Sequence, residues 1–157
     1  MKNAFLIMLT VFIGISLCGC AGGPTANEDN AAAVQNLVTA FGEELKEVSL
    51  LAPEEVLVES IQNNYANYVS EELLAQWLAS PSAAPGRVVS SPWPDRIEIE
   101  NVTELSPQSY QVTGAVIEIT SVEQGTEDAA ARRPIEVKIE KIDDQWRITA
   151  LTLGEYE

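Results

Sequence analysis

The chain has 157 residues, 46% hydrophobic and 21% charged, with 9 Lys and Arg against 24 Asp and Glu, a net charge of −15 and no histidine. Such acidity argues against nucleic acid as a partner, because neutralising phosphates needs clustered Lys and Arg; anionic head groups and wall polymers are repelled in the same way. The missing histidine removes Ser-His-Asp and Cys-His nucleophiles, His-containing zinc sites and imidazole pH switches, which leaves Asp, Glu, Tyr, Lys, Arg and Ser for any chemistry.

Lys2 precedes an uncharged apolar run from Ala4 to Leu17, the length of a signal-peptide core and short of the roughly 20 residues that span a bilayer. The run ends in Leu17-Cys18-Gly19-Cys20, which resembles the lipobox of bacterial lipoprotein precursors. That resemblance implies cleavage between Gly19 and Cys20 and a diacylglyceryl thioether on Cys20. It also implies an extracytoplasmic protein whose membrane partner is reached through that anchor. Two acyl chains hold stably where one is marginal. With Cys18 removed and Cys20 acylated, no thiol remains for a disulfide, a metal or redox chemistry, and no cofactor is expected. Ala21, rather than Asp, resembles an outer-membrane sorting signal in a host that has an outer membrane. Residues 1–19 thus read as the signal peptide. Residues 20–30 read as the acylated cysteine and a flexible tether averaging about 17 Å as a coil. Residues 31–157 read as one domain with room for a hydrophobic core.

Asn30 suits the cap of a helix starting at Ala31, with Val34, Leu37, Val38, Phe41, Leu45 and Val48 on its apolar face. Pro53 suits the first turn of a second helix carrying Val56, Leu57, Ile61 and Tyr65. Ser70 suits the cap of a third, Glu71 to Ala79, and Ser80-Pro81 stops it. Residues 80–94 hold Pro81, Pro85, Gly86, Pro92 and Pro94 and predict an irregular connection.

Beyond it the period becomes two. Arg96 to Asn101 reads as a half-buried strand, Tyr110 to Val122 as a longer one, and Gly125 to Ala131 as a hairpin loop. Ile135, Val137 and Ile139 alternate with charged residues, Asp143-Asp144 marks a turn, and Trp146 to Leu153 closes the chain. Short turns between successive strands predict an antiparallel meander with helices covering one face.

Several residues are candidates for a site. Trp93, stiffened between Pro92 and Pro94 and followed by Asp95 and Arg96, suits either the mouth of a pocket or a plug with Arg96 paired to Asp95. Tyr65 and Tyr68 either line a cavity with hydroxyls or are amphipathic core tyrosines. Arg132-Arg133-Pro134 suits a phosphate or carboxylate contact, or a solvated loop end. Glu127-Asp128 and Asp143-Asp144 lack the alternating oxygen spacing of a calcium loop.

Tyr68-Val69-Ser70-Glu71-Glu72-Leu73-Leu74 and Lys141-Ile142-Asp143-Asp144-Gln145-Trp146-Arg147-Ile148, with helices preceding strands, resemble the nuclear-transport-factor-2-like (SnoaL-like, cystatin-like) superfamily. Ser90 to Arg96 is similar to a stretch of lipoproteins of Gram-positive bacteria. The resemblance implies an α+β fold in which N-terminal helices pack on a curved antiparallel sheet of about four strands, closed as a cone. Enzymes of the superfamily place Asp, Tyr or His inside the cone, and no position here matches such a motif residue by residue. The expected function is therefore a non-catalytic tethered module binding a small molecule or an envelope protein. The alternative is a small carboxylate/tyrosine-dependent enzyme, with Asp95 the first acid to test.

Overall fold

The computed structural model describes residues 26–156. The expected signal peptide, the expected acylation at Cys20 and residues 21–25 of the expected tether lie outside the described residues.

Helix α1 spans Ala26–Glu44, so it begins within the expected tether rather than at Ala31, and Asn30 lies inside it instead of capping it. Glu28 and Asp29 sit in its first turn, where carboxylates meet the positive end of the helix dipole, and Ala31-Ala32-Ala33 carries the helix on with the best helix former. Helix α2, Glu54–Tyr65, follows Pro53. Helix α3, Glu71–Ala79, is capped as expected, the Ser70 Oγ accepting from the Leu73 N–H at 3.2 Å. Single 3-10 turns cover Leu45–Glu47 and Pro81–Ala83.

The sheet is a four-stranded antiparallel meander in chain order, β1 Trp93–Ser106, β2 Ser109–Ile119, β3 Ala131–Ile142 and β4 Gln145–Leu153. β1 and β3 run further than alternation alone suggests. β1 reaches back to include Pro94, which an edge strand tolerates, and forward through polar residues to Ser106. β3 is internal yet contains Pro134, paired with Ala115 on β2. The Pro134 carbonyl accepts from the Gly154 N–H on the β4 side, just past the last ladder pair Ile135–Leu153. The missing proline donor therefore falls where the ladder ends. The β3–β4 turn at Asp143 and Asp144 has φ of 48° and 64°, the pair of positive values a type I′ hairpin turn requires.

All three helices lie on one face of this sheet. Val34, Val38 and Phe41 of α1, Leu57, Ile61 and Tyr65 of α2, and Leu73 and Trp77 of α3 form one buried core with Val112 and Val116 of β2 and Ile135, Val137 and Ile139 of β3. α1 lies close on β1: a Cβ at Gly42 would stand 2.9 Å from the Ile97 nitrogen. The α2–α3 corner extends the sheet beyond β4. There the Ile148 N–H donates to the Tyr68 carbonyl and the Ser70 N–H to the Ile148 carbonyl, both at 2.9 Å. The connection after α3 is pinned in turn, because Arg87 exchanges backbone hydrogen bonds with Val48 and Leu50. β1 breaks register at Pro94/Arg96, Ile99/Asn101 and Glu104/Ser106, and each such bulge bends the strand and adds twist. The architecture is thus α+β, with three helices packed against an open four-stranded antiparallel sheet.

Candidate functional site

The space between helices and sheet is occupied by aromatic side chains. Phe41 lies with its ring centroid 5.0 Å from Tyr65, 6.1 Å from Tyr68 and 6.4 Å from Trp77. Tyr65 is fully buried and donates its hydroxyl to the Pro85 carbonyl at 2.7 Å. Burial, with the negative charge of Glu44 adding to it, drives its pKa far upward, so it is a neutral donor at every physiological pH. Tyr68 is half-buried and donates to Glu44 Oε1 at 3.3 Å. Its pKa is also raised, by desolvation first and then by Glu44. Tyr65 thus belongs to the core, bracing the Pro85 segment.

Trp93, Asp95 and Arg96 come together elsewhere. On β2, Tyr110, Val112 and Val116 join the helix-side core, while Ala115, Ile117 and Ile119 form a separate cluster with Trp93. Side chains alternate between faces of a strand, so Trp93 covers apolar residues on the face away from the helices. It covers that outer cluster and not the helix-side interior. The structure therefore does not bring Trp93 together with Tyr65 and Tyr68.

Arg96 stands in register with Ile117, and Ile117 with Arg132, so the two arginines flank a buried isoleucine on the outer face. Both converge on Glu98, at 2.7 Å and 2.8 Å. Arg96 also pairs with Asp95 at 3.1 Å and donates to the Glu127 carbonyl at 3.2 Å. The hydrogen bond from Arg96, supported by Arg132, holds the Glu98 carboxyl below the usual carboxylate range. Each of these pairs is partly exposed and stabilises little by itself. Together they tie the β2–β3 loop across the outer face. Asp95, the first acid to test under the alternative enzyme reading, is paired with Arg96 in this network.

The second half of the arginine pair behaves differently. Arg132 and Arg133 lie inside β3, not at a solvated loop end, and as adjacent strand residues they face opposite ways. Arg133, in register with Val116, faces the helix side. Its Nε donates to the Gly154 carbonyl at 2.8 Å, and its guanidinium lies 5.0 Å from the centroid of the Tyr156 ring. Tyr156 in turn donates to Oε1 of the buried Glu118 at 2.8 Å. Desolvation, with the hydrogen bond to Glu118, raises the Tyr156 pKa. Among the described residues Arg133 has no acid within ion-pair distance, whereas Arg96 and Arg132 both have one.

Arg133 lines a groove of about 280 Å³ between the Pro85 segment and the end of β4, walled by Leu50, Ala84, Val88, Leu151 and Leu153. Sequence reasoning passed over Glu118 and Tyr156, an acid inside a strand and a tyrosine near the chain end. The one available signal was the Arg-Arg-Pro at the start of β3. A second depression, about 480 Å³, lies at the α2–α3 corner beside Glu71, Glu72, Asp143 and Arg147. Arg147 is already committed there to the Asn67 carbonyl and Gln145.

Among the described residues no group of three or more Asp, Glu, His or Cys side chains converges in a way that could hold a metal ion. No described helix is long and apolar enough to cross a membrane. No family model and no curated protein matches the chain.

Proposed function

We propose that this chain is a lipoprotein, held on the outer side of the membrane through Cys20, and that its folded part is a non-catalytic binding module of the nuclear-transport-factor-2-like kind. The order of helices before an antiparallel meander and the bulged first strand support that superfamily. The observation that carries the binding reading is the contrast between interior and rim. Phe41, Tyr65 and Trp77 fill the interior, Asp95 is tied to Arg96, and a groove lined by aliphatic side chains, Ser82 and an arginine without an acid partner among the described residues stays open at the rim. A recess lined by aliphatic side chains beside one arginine is suited to holding a ligand. Among the candidate residues, Cys20 serves as the anchor, while Trp93, Asp95 and Arg96 hold the outer face and Tyr65 and Tyr68 brace the core.

Anchoring is tested by metabolic labelling with a fatty acid. The wild-type chain takes up label and fractionates with membranes, and Cys20→Ala does neither, because thioether acylation needs the thiol. Equal labelling of that variant removes the lipoprotein reading.

The binding reading is tested by a thermal-shift screen of the lipidated protein against small-molecule classes. A compound at a hundredfold excess over its Kd adds about 2.7 kcal/mol to stability and is recovered unchanged. One observation favours the alternative, a small carboxylate/tyrosine-dependent enzyme: Glu118 and Tyr156 form such a pair next to Arg133. An enzyme returns a converted compound from the same screen, at a rate that falls with Tyr156→Phe.

A further inference from the structure

The groove at the rim has a more definite chemistry than a general recess. Its walls mix aliphatic side chains, Leu50, Ala84, Val88, Leu151 and Leu153, with the polar side chains of Ser82 and Arg133. The apolar character continues onto the adjoining surface, where Val88 is 39% and Val89 43% exposed. An apolar surface left open beside one fixed charge favours a molecule with a tail and a single charged end.

Arg133 supplies the charge, and three features prepare it. The Gly154 carbonyl fixes Nε. The Tyr156 ring lies against the guanidinium, and Tyr156 is itself held by Glu118. No acid pairs with Arg133 among the described residues. In a chain of net charge −15, an arginine that is oriented but left without an acid is a positive point in a negative field. A planar guanidinium matches a carboxylate better than an ammonium does.

Size and charge narrow the class. At roughly 30 Å³ per water, a groove of 280 Å³ holds about nine water volumes, room enough for a medium-chain acid. One arginine balances one negative charge, and the surrounding acidity disfavours a dianion.

We infer that this groove binds a small monocarboxylate with an aliphatic tail, its carboxylate on Arg133 and its tail along Leu50, Val88 and Leu151. This rests on the binding-module reading and adds the ligand class and the residue that selects it.

The test uses the full lipidated protein in phosphatidylcholine nanodiscs, with empty discs as the blank, and equilibrium dialysis of radiolabelled octanoate. Wild-type protein binds octanoate saturably, at one site, at least tenfold more tightly than octanol and more tightly than octyl phosphate. Arg133→Gln lowers octanoate affinity at least tenfold and leaves octanol unchanged, while Arg133→Lys retains part of the affinity. Because Arg133 also holds Gly154 and Tyr156, Ala83→Trp provides a second variant. It leaves Arg133 in place, fills the groove from an exposed wall position, and abolishes binding of both octanoate and octanol. Equal affinity for octanoate and octanol overturns the inference, as does octanoate binding that survives both variants or a preference for octyl phosphate. If octanoate fails to bind but another compound stabilises the protein in the thermal screen, the ligand class is wrong and the binding-module reading stands.

Discussion

Phe41→Ala lowers stability by about 3–5 kcal/mol, the range for truncating a fully buried large aromatic. The site has no easy way to collapse. Phe41 is 0% exposed, and its ring touches aromatic side chains from two other helices and the corner between them, Tyr65 on α2, Trp77 on α3 and Tyr68. Tyr65 is fixed at its far end by the bond to Pro85, and Trp77 packs edge-on against Tyr65 at 5.6 Å. None of these rings can move into the vacated space without breaking another contact. A domain of this size has about 5–15 kcal/mol in all, so a large share of the total is removed. Urea denaturation followed by tryptophan fluorescence should show the midpoint falling steeply with the slope unchanged. A loss below about 1 kcal/mol would mean that the interior is loosely filled and that the helices and sheet enclose a usable cavity after all.

That filled interior was hard to foresee from the residues alone. The apolar faces of the helices were legible because Val34, Val38, Phe41 and Leu45 recur at helical spacing, and Ser70 marked the start of α3 through its side-chain oxygen. Ile135, Val137 and Ile139 marked β3 by strict alternation. Each of these signals is local. Whether Tyr65 points into an empty cone or onto a carbonyl depends on where Pro85 lies, twenty residues away in the chain and brought close only by the pinning of Arg87 to Val48 and Leu50.

The same limit applies to the arginines. Arg132 and Arg133 look equivalent in sequence, yet strand alternation sends one to Glu98 and the other to Tyr156. Only the register of β3 against β2 distinguishes them, and that register is a property of the sheet. The early start of α1 was missed for the opposite reason. Asn30 is a good cap by itself, and the helix continues through it because the acidic residues just before it also suit a first turn.

Gly114→Ala is the substitution expected to damage the sheet most for the smallest change in volume. Gly114 lies in the middle of β2, between Ile99 on β1 and Ile135 on β3. A Cβ built there would stand 2.1 Å from the Glu98 carbonyl oxygen and 3.1 Å from the Ile99 Cα. These are backbone atoms, so no rotamer change relieves the contact and β1 itself must move away. β1 breaks register at Ile99/Asn101 beside this point, and a glycine within a strand commonly permits a sharp bend or a close backbone approach. Moving β1 also disturbs Ile97, which seats α1 through Gly42, and Glu98, which gathers Arg96 and Arg132. Overpacking costs about 1–3 kcal/mol where side chains can yield. With the β1 backbone as the obstacle the cost should reach or exceed the upper end, a fall in Tm of roughly 10–20 °C. Circular dichroism melting of the variant measures it, and amide exchange locates it. Protection should be lost first along the β1–β2 ladder, while the β3–β4 ladder, on the far side of the sheet, should keep most of its own. A variant with wild-type melting would show that β1 does not pass so close to β2, and the bend assigned to Gly114 would have to be placed elsewhere in the strand.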